Sequence, residues 1–133
     1  MINVANHSER GTETILLTDD EPLVRNLIAT LLNNQGYTVL AASNGSEALQ
    51  VAQEHANDKI DLLLTDIVMP QMDGVQLSTE FRRLFPQAKI ILMSGYAEES
   101  KLQRMMAEPN VEFIAKPFRP QVLTNKVREM LDR

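Results

Sequence analysis

The chain has 133 residues, of which 44% are hydrophobic and 23% charged, a balance typical of one globular domain. It contains no cysteine, which excludes disulfides, thiolate metal sites and a cysteine nucleophile. The formal net charge of −5 argues against a domain that binds nucleic acid through a basic face. No apolar run is long enough to span a bilayer and no signal-peptide pattern is seen, so we expect a cytoplasmic domain without membrane contact.

Residues 1–12 show no hydrophobic period and are interpreted as a flexible tail or linker, which leaves residues 13–133 for the folded domain. Five short apolar runs of strand length follow. Their near-continuous apolar character predicts strands covered on both faces, as in a parallel sheet. The runs are ILLT at 15, YTVLAA at 37, IDLLLT at 60, KIILM at 89 and VEFIA at 111.

Segments of helical period separate the runs. In the first segment, Pro22 suits the opening turn and Gly36 suits a left-handed stop. Apolar residues at three- and four-residue intervals predict the buried face of this helix. They are Leu23, Val24, Leu27, Ile28 and Leu31.

Capping residues predict where the next two helices begin. Asn44 is followed three residues later by Glu47, in an arrangement similar to a capping box. Asp73 is the expected N-cap of the third helix, which Pro86 should end.

The last two helices differ in their apolar content. Around residues 98–107 the apolar stripe is only Leu102, Met105 and Met106, so we expect light packing and mobility. The fifth helix opens with Pro120 and carries Leu123, Val127, Met130 and Leu131. Strands alternating with helices predict an α/β fold with a doubly wound five-stranded parallel sheet, flavodoxin-like, in the order 2-1-3-4-5.

Polar residues stand where four of the apolar runs stop. They are Asp19 and Asp20 after the first, Asp66 after the third, Ser94 after the fourth and Lys116 after the fifth. In a parallel sheet these residues gather along one edge, which is the edge where open α/β folds bind ligands.

The three carboxylates would repel one another, and a divalent cation relieves that repulsion. Oxygen ligands without histidine or cysteine favour a hard ion such as Mg²⁺. Each residue also has a simpler explanation on its own: Asp19 and Asp20 could cap the first helix, Lys116 could be a surface charge, and Ser94 could serve a turn. Together, three acids, a hydroxyl and a cation are the groups needed to transfer a phosphoryl group to a carboxylate.

The motifs TILLTDDEP, LLLTDIVMPQMDG, ILMSGY and FIAKPF occur in that order within residues 13–133. Here the chain resembles the receiver domain of two-component response regulators. The resemblance implies that Asp66 accepts a phosphoryl group from a histidine kinase or a histidine phosphotransfer protein. It further implies that Asp20, Asp66 and the Val68 carbonyl ligate Mg²⁺, that Asp19 acts through a coordinated water, and that Lys116 pairs with the phosphoryl oxygens.

The resemblance also assigns a conformational switch. Ser94 matches the hydroxyl that bonds the phosphoryl group, and Phe113 matches the aromatic whose rotamer follows it, although ordinary core packing also explains Phe113. The Lys116-Pro117 bond matches the family's cis peptide. Serine in place of the frequent threonine, and phenylalanine in place of tyrosine, suggest weaker coupling to the surface of the fourth helix, fifth strand and fifth helix.

Val68 and Tyr96 match positions that control water access to the acyl phosphate. Because Val68 is apolar and Tyr96 is bulky, we expect slower hydrolysis than in a variant with polar residues there.

Several alternatives stay open at this point. A haloacid-dehalogenase-type phosphatase uses similar groups, but its nucleophile follows the first strand in a DxD motif. A flavin-binding module has the same topology, but TDDEP has the wrong charge for a flavin phosphate. We expect a signalling module rather than an enzyme, in the context of a hybrid histidine kinase that could tether it to a membrane, or alternatively a stand-alone regulator. The resemblance leaves a phosphorylation-dependent homodimer open.

Overall fold

The computed structural model describes residues 11–95 and 99–133, without the side chains of residues 99–102. The strands are β1 (Thr14–Thr18), β2 (Thr38–Ala42), β3 (Leu62–Asp66), β4 (Lys89–Ser94) and β5 (Val111–Ala115). The helices are α1 (Pro22–Asn34), α2 (Gly45–Glu54), α3 (Gly74–Leu84), α4 (Glu99–Met106) and α5 (Pro120–Leu131). All strand pairs are parallel and the order is β2-β1-β3-β4-β5, which confirms the predicted fold class.

The central strands are buried on both faces, as their apolar runs predict. In β3 every residue is buried, and in β1 and β4 every residue except the first is buried. The edge strand β2 differs, because Thr38 and Ala41 remain exposed. A strand with one neighbour and partial helix cover has room for such residues.

Successive side chains point to opposite faces of the sheet and therefore fill two separate cores. On one face, Leu16 and Leu63 pack with residues of α2, α3 and α4, including Phe81, which stacks on Phe85 at 5.2 Å between ring centroids. On the other face, Leu17 and Leu64 pack with residues of α1 and α5. The two cores fix the position of every helix relative to the strand ends.

The buried face of α1 is only partly the predicted one. Ile28 is buried, but Leu23 and Leu27 expose 78% and 71% of their surface. The expectation that these two leucines belong to the core is therefore wrong, and Leu32, outside the predicted stripe, is fully buried instead. At 100° per residue, Leu23 and Leu27 lie on a neighbouring stripe of the helix that no other element of the described residues covers.

The helix ends follow the capping residues. The Asn44 side chain accepts a hydrogen bond from the Glu47 backbone N–H at 2.8 Å, while the Glu47 carboxylate accepts from Ser43 rather than from the cap itself. Asp73 and Gln76 form the full reciprocal capping box at the start of α3. Gly36 has φ +99°, the left-handed conformation predicted for the stop after α1.

Helix α4 contributes little to the described core. Met105 is buried, Met106 is 39% exposed, and the Leu102 side chain lies outside the described residues. The light packing predicted for this helix agrees with that burial, and its mobility stays a prediction. No helix in residues 11–95 and 99–133 is long and apolar enough to cross a membrane.

The start of the described chain is attached to the domain. The Gly11 backbone N–H donates to the Gln35 carbonyl at 3.0 Å, and a Cβ on Gly11 would lie within 2.4 Å of side-chain atoms of Glu13, Tyr37 and Arg128. Residues 1–10 of the predicted tail lie outside the described residues.

Candidate functional site

The sheet delivers three of the predicted polar residues to one face. Residues two apart in a strand point to the same face of the sheet. Asp19, Asp66 and Lys116 each stand two residues after an apolar residue that packs against α1 and α5. These apolar residues are Leu17, Leu64 and Ile114. The charged groups therefore lie on the α1 and α5 face, at the carboxyl edge of the sheet.

Lys116 joins two of the carboxylates. Its Nζ lies 2.8 Å from Asp19 Oδ2 and 3.3 Å from Asp66 Oδ2. The three side chains expose 19%, 0% and 12% of their surface, in the order Lys116, Asp19, Asp66. Lys116 is thus a mostly buried counter-ion, and the explanation of this lysine as a surface charge is wrong.

Asp19 is bound at every polar atom. Its Oδ1 accepts from the Glu21 backbone N–H at 2.9 Å, its Oδ2 binds Lys116, its N–H donates to Ala42, and its carbonyl accepts from Arg25 Nη1 at 2.7 Å. The N-cap of α1 is Glu21, without a side-chain cap bond, so Asp19 and Asp20 do not cap this helix. The contact of Arg25 with the Asp19 carbonyl was not predicted from the sequence, because helical periodicity does not indicate which polar side chain reaches a strand end.

Asp20 completes an acidic group. One carboxylate oxygen from each of Asp19, Asp20 and Asp66 lies within 4.8 Å of the others, and the Asp20 side chain is exposed while the other two are buried. This donor set contains only hard oxygen ligands with one side open to solvent, which fits Mg²⁺. The three carboxylates could hold a metal ion, as predicted.

Burial perturbs the central charges. The pKa of Asp66 is raised mainly by desolvation and further by the Asp19 charge, while Lys116 and a hydrogen bond from the Val68 N–H oppose the rise. Burial by itself would lower the pKa of Lys116, but its hydrogen bond to Asp19 and the Asp66 and Asp19 charges raise it on balance. A protonated lysine therefore faces a carboxylate whose charged form is less favourable than it would be in water.

The loop after β3 folds back beneath Asp66. The Gly74 backbone N–H donates to the Ile67 carbonyl at 2.8 Å, and a Cβ on Gly74 would lie 2.3 Å from the Asp66 carbonyl oxygen. Gln71 has φ 68° within the turn that leads there. The buried Thr65 hydroxyl also donates to the Asp66 carbonyl, at 3.0 Å. The Pro70 to Gly74 segment thus fixes the backbone that carries Asp66.

Ser94 and Phe113 lie on the opposite face of the sheet. Ser94 is 2% exposed at the end of β4. It stands two residues after Leu92 and therefore points to the same face, the one covered by α2, α3 and α4. Leu92 is the register partner of Phe113, and Ser94 is the partner of Ala115, so Ser94 and Phe113 are diagonal neighbours. Phe113 is partly buried against the same core.

The remaining predicted positions are placed as follows. Val68 is 50% exposed beside Asp66, and the Lys116-Pro117 peptide bond is cis, as the motif implied. Tyr96 lies outside the described residues.

The model of the response regulator receiver domain matches residues 15–128. The chain belongs to this family. Membership in this family rules out the phosphatase and flavin-module alternatives. The chain is a signalling domain of two-component systems.

Two curated relatives differ in architecture. Over 123 residues the receiver domain is 39% identical to the sensor kinase CckA of Brucella abortus, covering 92% of this chain but 13% of that protein. Over 117 residues it is 34% identical to the response regulator receiver protein CpdR of the same organism, covering 88% of this chain and 95% of that protein.

Solved structures share the fold. The receiver domain of the hybrid histidine kinase CckA matches with a TM-score of 0.77 at 36% identity, over 89% of this chain and 98% of that one. A response regulator receiver domain from Clostridium thermocellum matches with a TM-score of 0.83 at 29% identity, over 91% and 95% of the two chains.

Proposed function

We propose that this receiver domain accepts a phosphoryl group on Asp66 from a phosphohistidine of a histidine kinase or histidine phosphotransfer domain. The observation that carries the proposal is the contact of the Asp66 carboxylate with Lys116 at 3.3 Å, inside a group of three carboxylates. A carboxylate nucleophile, a buried cation and a metal-compatible acid group are the parts that phosphoryl transfer needs.

In the transfer, a carboxylate oxygen of Asp66 forms a bond to phosphorus while the phosphorus–nitrogen bond to the donor imidazole breaks. The electron pair leaves with the imidazole nitrogen, which then takes a proton from solvent. The Lys116 ammonium lies within reach of the Asp66 oxygen and stabilises the negative charge of the phosphoryl oxygens.

Asp20 and Asp66, with the backbone carbonyl of Val68, are the residues that we propose hold Mg²⁺, and Asp19 would act through a water ligand. When bound, Mg²⁺ offsets the charge on the carboxylates and on the phosphoryl group. Asp19 keeps a second task in this scheme, because it holds the Lys116 ammonium at 2.8 Å.

The switch follows from the two faces of the sheet. A phosphoryl group on Asp66 stands between Lys116 on one face and Ser94 on the other, so it can draw the Ser94 hydroxyl toward itself. Movement of Ser94 changes the space beside its diagonal neighbour Phe113, and we propose that Phe113 reports phosphorylation to the surface of α4, β5 and α5.

The phosphohistidine domain must bind over the carboxyl edge of the sheet, where its phosphoryl group can reach Asp66. An apolar groove of about 880 Å³ begins there at Lys116 and Gly95 and continues along α1 and the chain after β5, where Leu23, Leu27 and Phe118 line it. We propose that the phosphohistidine domain packs on this groove, because exposed leucines beside a polar reaction site are typical of a protein contact.

The sharpest test of the nucleophile uses a small donor. With Mg²⁺ and acetyl phosphate, the mass should increase by one phosphoryl group in the wild type and not in Asp66→Asn. Absence of the adduct in the wild type across several small donors, or an adduct that persists in Asp66→Asn, would contradict the assignment.

Comparing two donors tests the groove. Leu27→Gln should reduce transfer from a phosphorylated histidine protein about tenfold and leave acetyl phosphate labelling unchanged, since only the protein donor contacts Leu27. Leu84→Gln is the matched control, because Leu84 is also exposed, at 36%, but lies at the far end of α3. If Leu27→Gln accepts the phosphoryl group from the histidine protein as fast as the wild type does, the docking surface lies elsewhere.

The identity to CckA favours a receiver within a hybrid histidine kinase, acting in the cytoplasm, and the coverage of CpdR supports the alternative of a stand-alone regulator. Val68 beside Asp66 supports slow loss of the phosphoryl group. Phosphate loss that is no faster in Val68→Asn than in the wild type would refute this last point.

A further inference from the structure

Arg25 binds the backbone on both sides of Asp20. Its guanidinium Nη1 donates to the Asp19 carbonyl at 2.7 Å, and its backbone N–H donates to the Glu21 carbonyl at 2.9 Å. Of these two bonds, only the one to the Asp19 carbonyl depends on the Arg25 side chain, since the other is a backbone bond of the helix start. Arg25 itself is fixed by its place in the first turns of α1 and is partly buried.

Asp20 is more available than the neighbouring Asp19 for direct contact with a cation. Each Asp19 oxygen already accepts a hydrogen bond, Oδ1 from the Glu21 N–H at 2.9 Å and Oδ2 from Lys116 at 2.8 Å. The Asp20 side chain is exposed, so its direction depends on the backbone that carries it. That backbone is set by the Asp19–Asp20 peptide, whose carbonyl oxygen is the atom that Arg25 Nη1 binds.

We infer that Arg25 is a positioning residue for the cation site: by holding the carbonyl of the Asp19–Asp20 peptide, its guanidinium directs the Asp20 carboxylate toward Mg²⁺. The inference rests on the proposed function, because it takes Asp20 as a ligand. It adds a residue from α1 that acts on the metal through another side chain, and it gives that residue a role opposite to the one its charge would suggest.

The sign of the effect separates the two roles. If Arg25 acted only through its positive charge, it would repel a divalent cation, and its removal would tighten Mg²⁺ binding. If Arg25 positions Asp20, its removal loosens binding, since loss of an outer-shell partner typically weakens metal affinity by about 10- to 100-fold. The two explanations predict changes in opposite directions.

The experiment is a calorimetric Mg²⁺ titration of the wild type, Arg25→Met, Arg25→Lys and Arg83→Met. Arg83 is the matched control, because the same substitution removes one charge from an exposed arginine, 73% exposed, at the distal end of α3. We expect Kd to rise about tenfold in Arg25→Met, at the lower end of the range for outer-shell partners, and less in Arg25→Lys, which retains a donor and the charge. Arg83→Met should bind as the wild type does. Thermal unfolding without Mg²⁺ confirms that each variant is folded at the titration temperature, and Arg25→Lys serves as the test variant if Arg25→Met is not.

Unchanged or tighter Mg²⁺ binding in a folded Arg25→Met variant would overturn the positioning role. Asp20→Asn distinguishes that result from failure of the proposed function. If the wild type binds Mg²⁺ and Asp20→Asn does not, the metal site stands and only the role of Arg25 is in question. If the wild type and Asp20→Asn bind alike, the metal site itself is wrong and this inference falls with it.

Discussion

Gly74 approaches the backbone of Asp66 so closely that a Cβ built on Gly74 would lie 2.3 Å from the Asp66 carbonyl oxygen and 2.9 Å from the Ile67 Cα. Both clashing atoms belong to the backbone, so no side-chain rotation relieves them. The glycine of the PQMDG sequence is therefore required by the position of the β3 end that carries Asp66, rather than by its own dihedral angles.

Gly74→Ala should lower the free energy of unfolding by about 2 kcal/mol, because the strand end must shift to admit the methyl group. This loss should outweigh the intrinsic helix preference of alanine at the first position of α3. Urea unfolding measures the change, and acetyl phosphate labelling should slow in the same variant as Asp66 moves. Gly95→Ala is the matched control, since no described residue beyond its chain neighbours comes within 4 Å of a Cβ there. Equal stability of the two variants would contradict the prediction.

Arg128 of α5 and Glu13, the residue before β1, form a pH-dependent ion pair. Arg128 Nη2 donates to Glu13 Oε2 at 2.7 Å and Nη1 donates to Oε1 at 3.2 Å, and these hydrogen bonds lower the pKa of Glu13 below the usual 4.5 of a glutamate. A lowered folded-state pKa stabilises the fold above the unfolded pKa, and that stability is lost as the pH falls through the folded value. Glu13→Gln should therefore cost about 1 kcal/mol at neutral pH.

The difference between wild type and Glu13→Gln should shrink below a pH of about 4.5 and vanish in strong acid, when Glu13 is protonated in both states. Chemical unfolding at a series of pH values measures it. Glu54→Gln, an exposed glutamate near the end of α2, controls for the change in net charge. A difference that stays constant with pH would show that the ion pair is not its source.

Arg82 anchors the turn between α4 and β5. Its Nη2 lies 2.5 Å from the Pro109 carbonyl, 3.3 Å from that of Asn110 and 3.4 Å from that of Ala88. Arg82→Met should reduce the free energy of unfolding by about 2 kcal/mol, because three carbonyls lose a charged donor and two of these bonds are partly buried. Arg83→Met, one residue along the same helix, should change it by less than about 0.5 kcal/mol. Similar losses in both variants would indicate a general helix effect instead.

The Asp66 charge should destabilise the domain when no cation is bound. Because burial raises the pKa of Asp66, the folded state binds its proton more tightly than the unfolded state does, and stability falls as the pH rises through that pKa. In the presence of a chelator at neutral pH, Asp66→Asn should therefore unfold at a higher temperature than the wild type.

Adding Mg²⁺ should raise the melting temperature of the wild type and leave that of Asp66→Asn nearly unchanged, because a ligand stabilises only a state that binds it. Thermal scans with and without Mg²⁺ measure both effects. A wild type that is more stable than Asp66→Asn in chelator would mean that the Lys116 contact outweighs the desolvation of Asp66.

Local patterns were sufficient for the order and type of the elements. Apolar runs of strand length alternating with capped helical segments specify a parallel sheet, because each strand needs cover on both faces and each crossover has a fixed hand. The same patterns placed Asp19, Asp66, Ser94 and Lys116 at strand ends, since the end of an apolar run is visible in the sequence itself.

The environment of each strand end was decided only by the tertiary structure. The exposure of Leu23 and Leu27, the bond from Arg25 to Asp19 and the closeness of Gly74 to Asp66 depend on how helices pack on a twisted sheet, and amino-acid spacing does not encode those distances. The sequence by itself determined the family and the fold, and it singled out Asp66 as the carboxylate proposed to react. Tertiary packing decided which charges are buried, which carbonyls are held and which surface is left open, because burial and contact are properties of residues that are distant along the chain.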